Sequence, residues 1–183
     1  MKKVIVATLI TTAVALSSSA FAAGGQGQGS GQVKFHGYII DAPCSIESEN
    51  PIEVDFGQIS RKALAANSNT GESHVKTFSI ELADCDISDL TDKQVTTTFS
   101  FTDAGQDTNL IGFDGKEGMG AGIAIVSGGS KVVNNVATKP HQLSTGPNTL
   151  QFASYVKGLG GTGDEAIKVG EFYATANFTL AYQ

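Results

Sequence analysis

Few residues in this 183-residue chain have the chemistry for a reaction centre: two cysteines, three histidines and eighteen carboxylates. Cys44 and Cys85 are isolated thiols with no nearby histidine pair, which is a poor basis for a structural zinc site. What they do instead depends on where the chain goes. Lys2 and Lys3 precede an apolar run over residues 4–16, and Ala20-Phe21-Ala22 supplies small residues at cleavage positions. A run this short, followed by such a site, reads as a secretory signal peptide and not as a membrane span. Cleavage after Ala22 leaves 161 residues starting at Ala23, with no second long apolar stretch. Export makes a disulfide the reading of a lone cysteine pair. Closing a loop of about forty residues stabilises by roughly 4 kcal/mol in the chain-entropy model.

The remaining chemistry is thin. His36, His74 and His141 show no metal spacing and stand beside no nucleophile motif, so each reads as a surface imidazole. Gly118-Met-Gly-Ala-Gly122 has the glycines of a phosphate loop, but no Lys-Ser/Thr or helix follows; turn or strand glycines are the better reading. Asp84 and Asp86 flank Cys85, and one local pair of this kind reads as a solvated strand end, not a cation site. Asn177-Phe-Thr179 matches a glycosylation acceptor but lies inside a strand pattern. No enzyme or cofactor emerges. The formal charge is −6, and −8 once Lys2 and Lys3 are removed. With no basic cluster, nucleic acid and anionic lipid are poor partners.

The elements that carry these residues read as short strands. Phe78, Ile80 and Leu82 alternate within residues 76–83 and lead to Cys85; Val95, Thr97, Phe99 and Phe101 alternate next. Ile123 and Ile125 follow a glycine-rich stretch, and Leu150, Phe152, Ser154 and Val156 form a further strand. Gly71, Asp103-Ala-Gly105, Asp114-Gly115, Ser127-Gly-Gly129, Gly146-Pro147 and residues 158–163 punctuate these runs. One helix is expected over residues 60–66, where good helix formers gather. Such a pattern predicts an all-β sandwich; without tryptophan, it lacks the antibody-type core signature.

Both ends of the mature chain stand out. From Gly170 onward, Phe172, Ala174, Ala176, Phe178, Leu180 and Tyr182 form one apolar row, with Thr175, Asn177 and Thr179 on the opposite face. A core strand running to the last residue is expected to be gripped by another chain. At the other end, residues 23–31 are nearly free of side chains and should not order alone. They lead into Gln32-Val-Lys-Phe-His-Gly37, where Val33 and Phe35 share a face with Gly29, Gly31 and Gly37. That segment fits either a flexible leader to an ordinary first strand or a detachable strand for another sheet edge.

Taken in register, several stretches make the chain resemble the major-pilin family of chaperone–usher fimbriae, the type 1 and P-pilus shaft subunits. They are residues 31–37 ahead of Asp41-Ala-Pro-Cys-Ser-Ile46, then Asp55-Phe-Gly-Gln-Ile59, Ile80-Glu-Leu-Ala-Asp-Cys-Asp86, and a terminal segment with glycine fourteenth from the end and tyrosine next to last. The resemblance implies an incomplete immunoglobulin-like sandwich, residues 38–183, whose groove beside the terminal strand is completed in trans. The donor strand would be the extension over residues 23–37, with Gly29, Gly31, Val33, Phe35 and Gly37 facing in and Gly31 at the family's glycine position. Gly170, Phe172, Ala174, Ala176, Phe178, Leu180 and Tyr182 would belong to the groove strand. It further implies a periplasmic chaperone that fills the groove temporarily, an outer-membrane usher, identical subunits as polymer partners, fimbrial tip subunits, and a place on the cell surface in a fibre supporting adhesion. A minor adaptor or terminator, or an adhesin with its own receptor site, is the alternative; an adhesin of this system would carry a second, lectin-like domain and no donor segment.

Overall fold

The computed structural model describes residues 31–48, 51–105, 107–116, 118–163 and 166–183. The segment read as a signal peptide, Gly29 and the rest of the first 30 residues lie outside them. The chain divides into two compact units between Ile39 and Ile40, and all the described strands belong to the second.

In chain order that unit contains β1 (Ser45–Ile46), α1 (Arg61–Asn69), β2 (Lys76–Cys85), β3 (Gln94–Phe101), β4 (Asp103–Ala104), β5 (Asp107–Ile111), β6 (Ala121–Ser127), β7 (Ser130–Lys131), β8 (His141–Gln142), β9 (Gly146–Gly158) and β10 (Ala176–Tyr182). One sheet runs β1-β2-β9-β6-β5-β4, with β7 on β6; the other runs β10-β3-β8. All described pairings are antiparallel. The period-2 apolar rows dictate this, because each strand has one face to bury. Ile80, Leu82, Leu150, Phe152 and Val156 from one sheet and Val95 and Phe99 from the other share a single buried cluster. Phe152 joins the layers: it stacks on Phe78 across the β2–β9 ladder at 5.3 Å and meets Phe99 of the other sheet edge-on at 5.2 Å.

Cys44 and Cys85 form the disulfide, at a sequence separation of 41. It sits beside the Ser45–Ala83 pair, so the bond and the ladder hold β1 to β2 together. A bulge between Leu82 and Cys85, with Asp84 at φ +52°, re-aims the strand so that Cys85 turns inward. Asp86 does not join Asp84 in a site. Its Oδ1 accepts the Ser88 N–H at 3.0 Å, and the Ser88 hydroxyl and N–H hold its carboxyl below the usual range.

The helix begins at Arg61, as its composition suggests, but its regular turns stop at Ala66 (ψ 155°). Asn67, Ser68 and Asn69 then take positive φ, and the buried Asn69 side chain secures that turn by donating to the Gly161 carbonyl at 3.0 Å. Gly146-Pro147, expected as a turn, opens β9 instead. The terminal strand is shorter than its apolar row. β3 ends at Phe101, and the chain crosses to the other sheet at Asp103, leaving no described strand to pair with residues 170–175. The ladder therefore starts at Ala176 and not at Phe172.

Candidate functional site

β10 is an edge strand of peculiar composition. It pairs with β3 from Ala176–Phe101 to Tyr182–Val95 and with no other described strand. Along residues 171–183 every even residue is half-buried and every odd one exposed. No side chain of the row is fully buried, although Phe172, Ala174, Ala176, Phe178, Leu180 and Tyr182 all pack against the central cluster. β9, by contrast, buries Leu150, Phe152, Ser154 and Val156 along the same kind of row. The terminal row thus rests on the core with one flank open to water.

Hydrogen bonding shows which flank that is. Gln94 and Gln183 exchange both backbone bonds, at 3.1 and 2.9 Å. In an antiparallel ladder such pairs alternate with pairs whose polar groups point away. Asn177, Thr179 and Ala181 therefore direct N–H and C=O toward β3, whereas Ala176, Phe178, Leu180 and Tyr182 direct theirs to the free edge. The apolar row and the vacant hydrogen-bonding groups belong to the same residues. Upstream, the 113–116 turn stands in for a ladder: Asp114 N–H donates to the Tyr173 carbonyl at 2.7 Å, the Thr175 hydroxyl donates to Asp114 at 2.8 Å, and Lys116 Nζ donates to the Glu171 carbonyl. These bonds hold Phe172 stacked on Phe113, ring centroids 4.3 Å apart, in line with the row. Burial pushes the Tyr182 phenol above its ordinary pKa, as an apolar flank requires.

Residues 51–59 provide a second extended segment on the same core. Ile52, Val54 and Phe56 are half-buried, while Pro51, Glu53, Asp55 and Gly57 are exposed. The segment belongs to no described strand, and its Gly57 N–H turns back onto Asp55 Oδ1 at 2.7 Å. Phe56 lies 6.3 Å from Phe172, centroid to centroid. This second wall was absent from the sequence-level site. Its signal was the Ile52-x-Val54-x-Phe56 alternation beside Asp55-Phe-Gly-Gln-Ile59.

The N-terminal residues present the complementary chemistry. Residues 31–39 form no strand, and Val33 and Phe35 are 76 % and 92 % exposed, Ile39 fully so. Gly31 and Gly37 have open space where a Cβ would stand. His36, His74 and His141 are all exposed. Among the described residues no group of three or more His, Cys, Asp or Glu is placed to hold a metal, and no helix is long and apolar enough to cross a membrane. The glycines of residues 118–122 serve packing: a Cβ at Gly120 would stand 1.8 Å from the Ala166 carbonyl oxygen, and one at Gly122 2.7 Å from the Ala104 Cβ.

Known proteins share this sequence and fold. The Fimbria A protein of Serratia marcescens is 42 % identical over 185 residues, covering all of this chain and 99 % of its own. The Major MR/P fimbria protein of Proteus mirabilis is 40 % identical over 161 residues, with 85 % and 86 % covered. Among solved structures, a chaperone–usher pilus studied for rod uncoiling superposes with a TM-score of 0.74 at 33 % identity, over 86 % of this chain and 98 % of that one. The P pilus rod subunit PapA does so with a TM-score of 0.67 at 31 % identity, over 78 % of this chain and all of that one. The family model for fimbrial proteins matches residues 33–183. The chain accordingly belongs to the fimbrial protein family, the pilin subunits of chaperone–usher fimbriae.

Proposed function

We propose that the chain is a shaft subunit that polymerises by strand donation, the extension of one copy pairing with the open edge of β10 in another. The observation that carries this reading is the coincidence, on Ala176, Phe178, Leu180 and Tyr182, of a half-buried apolar side chain and backbone groups aimed at a free edge. An added strand satisfies both: main-chain bonds supply affinity and alternating side chains fill the groove. Its source is residues 23–37, whose Val33 and Phe35 lie exposed. Before assembly, a periplasmic chaperone would cover the same groove, and an outer-membrane usher would exchange it for the next subunit's extension. One relative, named a fimbria protein, matches nearly end to end and another, named a major fimbria protein, over 85 % of this chain, which favours a shaft subunit over an adaptor, terminator or adhesin. The fibre reaches the cell surface through the periplasm and supports adhesion.

Deleting residues 23–35 tests this. The truncated chain should fold, form the disulfide and bind chaperone, yet fail to link onto a preceding subunit. Polymerisation at the full-length rate would overturn strand donation and leave an ordinary secreted sandwich.

A further inference from the structure

Acidic and basic residues are segregated along this chain. Residues 118–163 contain no aspartate or glutamate but hold Lys131, Lys139 and Lys157; all eighteen acidic side chains lie outside that stretch. Lys157 is ion-paired with Glu72 at 2.9 Å. Lys131 and Lys139 are exposed and, among the described residues, make no ion pair. The fold brings these two to one recess. Gly128 and Gly129, at φ +54° and +76°, turn β6 back into β7, which carries Lys131. Val132 then enters the core, its N–H donating to the Ile125 carbonyl at 2.8 Å. The Val136 N–H closes a turn on the Val133 carbonyl at 3.1 Å. Thr138 settles on the edge of β3, donating its N–H to the Thr97 carbonyl at 2.9 Å and accepting the Thr97 N–H on its hydroxyl at 3.1 Å. Between hairpin and turn lies an open cleft of about 120 Å³ whose lining includes both lysines. Val133 and Val136, 37 % and 52 % exposed, give it an apolar side. Ser127 and Ser130, whose hydroxyls bond to no described residue, give it a polar one.

We propose that this cleft binds an acidic polysaccharide, one pyranose ring per subunit resting on the two valines, its carboxylate or sulfate taken by Lys131 and Lys139. The lining selects this class. A sugar ring offers C–H faces to Val133 and Val136, hydroxyls to Ser127 and Ser130 and, in acidic sugars, an anion to the lysines. A neutral sugar leaves the lysines unused, and a small inorganic anion leaves the valines bare. Exposed charges are screened beyond roughly 8 Å at physiological salt, so the local lack of carboxylates outweighs the net acidity of the chain. Among the described hydrogen bonds, one carboxylate from another element reaches this region, that of Asp103, and Asn134 Nδ2 already donates to it at 3.2 Å. A single contact of this kind is weak, because exposed ion pairs are screened and cost side-chain freedom. Repetition along a fibre changes that. The inference rests on the reading of the chain as a fibre subunit, in which many copies of the cleft meet one polymer and avidity rises roughly 10²–10⁴-fold without a new contact.

Purified fibres passed over immobilised heparin, with immobilised dextran as the uncharged probe, test this. Wild-type fibres should bind heparin and not dextran, and added salt should release them. Fibres of the Lys131→Gln/Lys139→Gln chain should lose at least about tenfold in binding. Lys62→Gln/Lys76→Gln, which removes the same charge at two other exposed positions, should cost no more than about twofold. Ser130→Glu, which adds a carboxylate to the hairpin and keeps both lysines, should also lose binding and serves where the double variant does not assemble. Wild-type fibres that ignore heparin, equal binding to dextran, binding that survives the cleft variants, or equal losses from both lysine pairs would each overturn the proposal. If a cleft variant alters fibre yield or form while binding per fibre is unchanged, a second copy occupies the cleft and the proposal is wrong. Failure of strand donation would show instead as a lack of fibres, whereas failure here shows as fibres that do not bind.

Discussion

Gly31 and Gly120 illustrate two uses of one residue type. At Gly120 a Cβ would collide with the Ala166 carbonyl, so the absence of a side chain serves the fold. At Gly31 nothing lies within 4 Å, so the free subunit has no use for glycine there. Gly31→Leu should therefore leave folding and disulfide formation unchanged while reducing fibre yield by roughly tenfold or more, because a leucine on the inward face of a donated strand would overfill the groove by an overpacking cost of about 1–3 kcal/mol. Quantifying soluble subunit and fibre separately checks both halves. Tyr182 carries the opposite burden. Its side chain lies on the apolar flank, and Tyr182→Asp puts an unpaired charge there, at a cost of several kcal/mol. The variant should be lost to proteolysis with no chaperone complex recovered; normal complexes on co-purification would contradict its place in the groove. The apolar row was legible residue by residue, since alternation alone assigns faces. The inward Asn69 was not, because its role depends on carbonyls of Gly161 and Gly163 more than ninety residues away.

Among the elements, those with a strict two-residue period came through clearly. Residues 76–83, 95–101 and 150–156 correspond to β2, β3 and β9, each extended by a few residues that the ladders recruit. β5 went unseen because only Leu110 and Ile111 mark it, too few to show a period. The start of β10 was misplaced for a tertiary reason: the 113–116 turn, not a strand, holds residues 171–175. Residues 51–59 escaped for a related one. Their period is that of a strand, yet nothing among the described residues pairs with them, so only the structure distinguishes a wall from a loop. The Cys44–Cys85 bond acts at this scale, tying β1 to the end of β2. Cys85→Ser should remove about 4 kcal/mol, enough to abolish periplasmic accumulation of a domain already short of one strand. Thiol labelling of the denatured, unreduced wild-type protein should find no free cysteine; two would refute the bond.

At the scale of the molecule, the chain divides its core between copies. The body has two sheets around a main buried cluster, but the layer over β10 and residues 51–59 stays half-open. Val33 and Phe35, the side chains suited to that layer, are carried on the extension and lie exposed. Their burial would return roughly 3–6 kcal/mol, before any ladder bonds, which is comparable to the whole stability of a small domain. A subunit built this way is stabilised by its neighbour, and assembly and completion of the fold become one event. Amide hydrogen exchange on the chain lacking residues 23–39, with and without a peptide spanning residues 27–39, tests that claim most directly. Without peptide, the Asn177, Thr179 and Ala181 amides should be protected through β3 and those of Phe178, Leu180 and Tyr182 should exchange freely. Peptide should slow the second group by orders of magnitude and raise the unfolding temperature. If the even-numbered amides of β10 stay unprotected with peptide bound, the missing strand does not pair there, and the account of assembly is wrong.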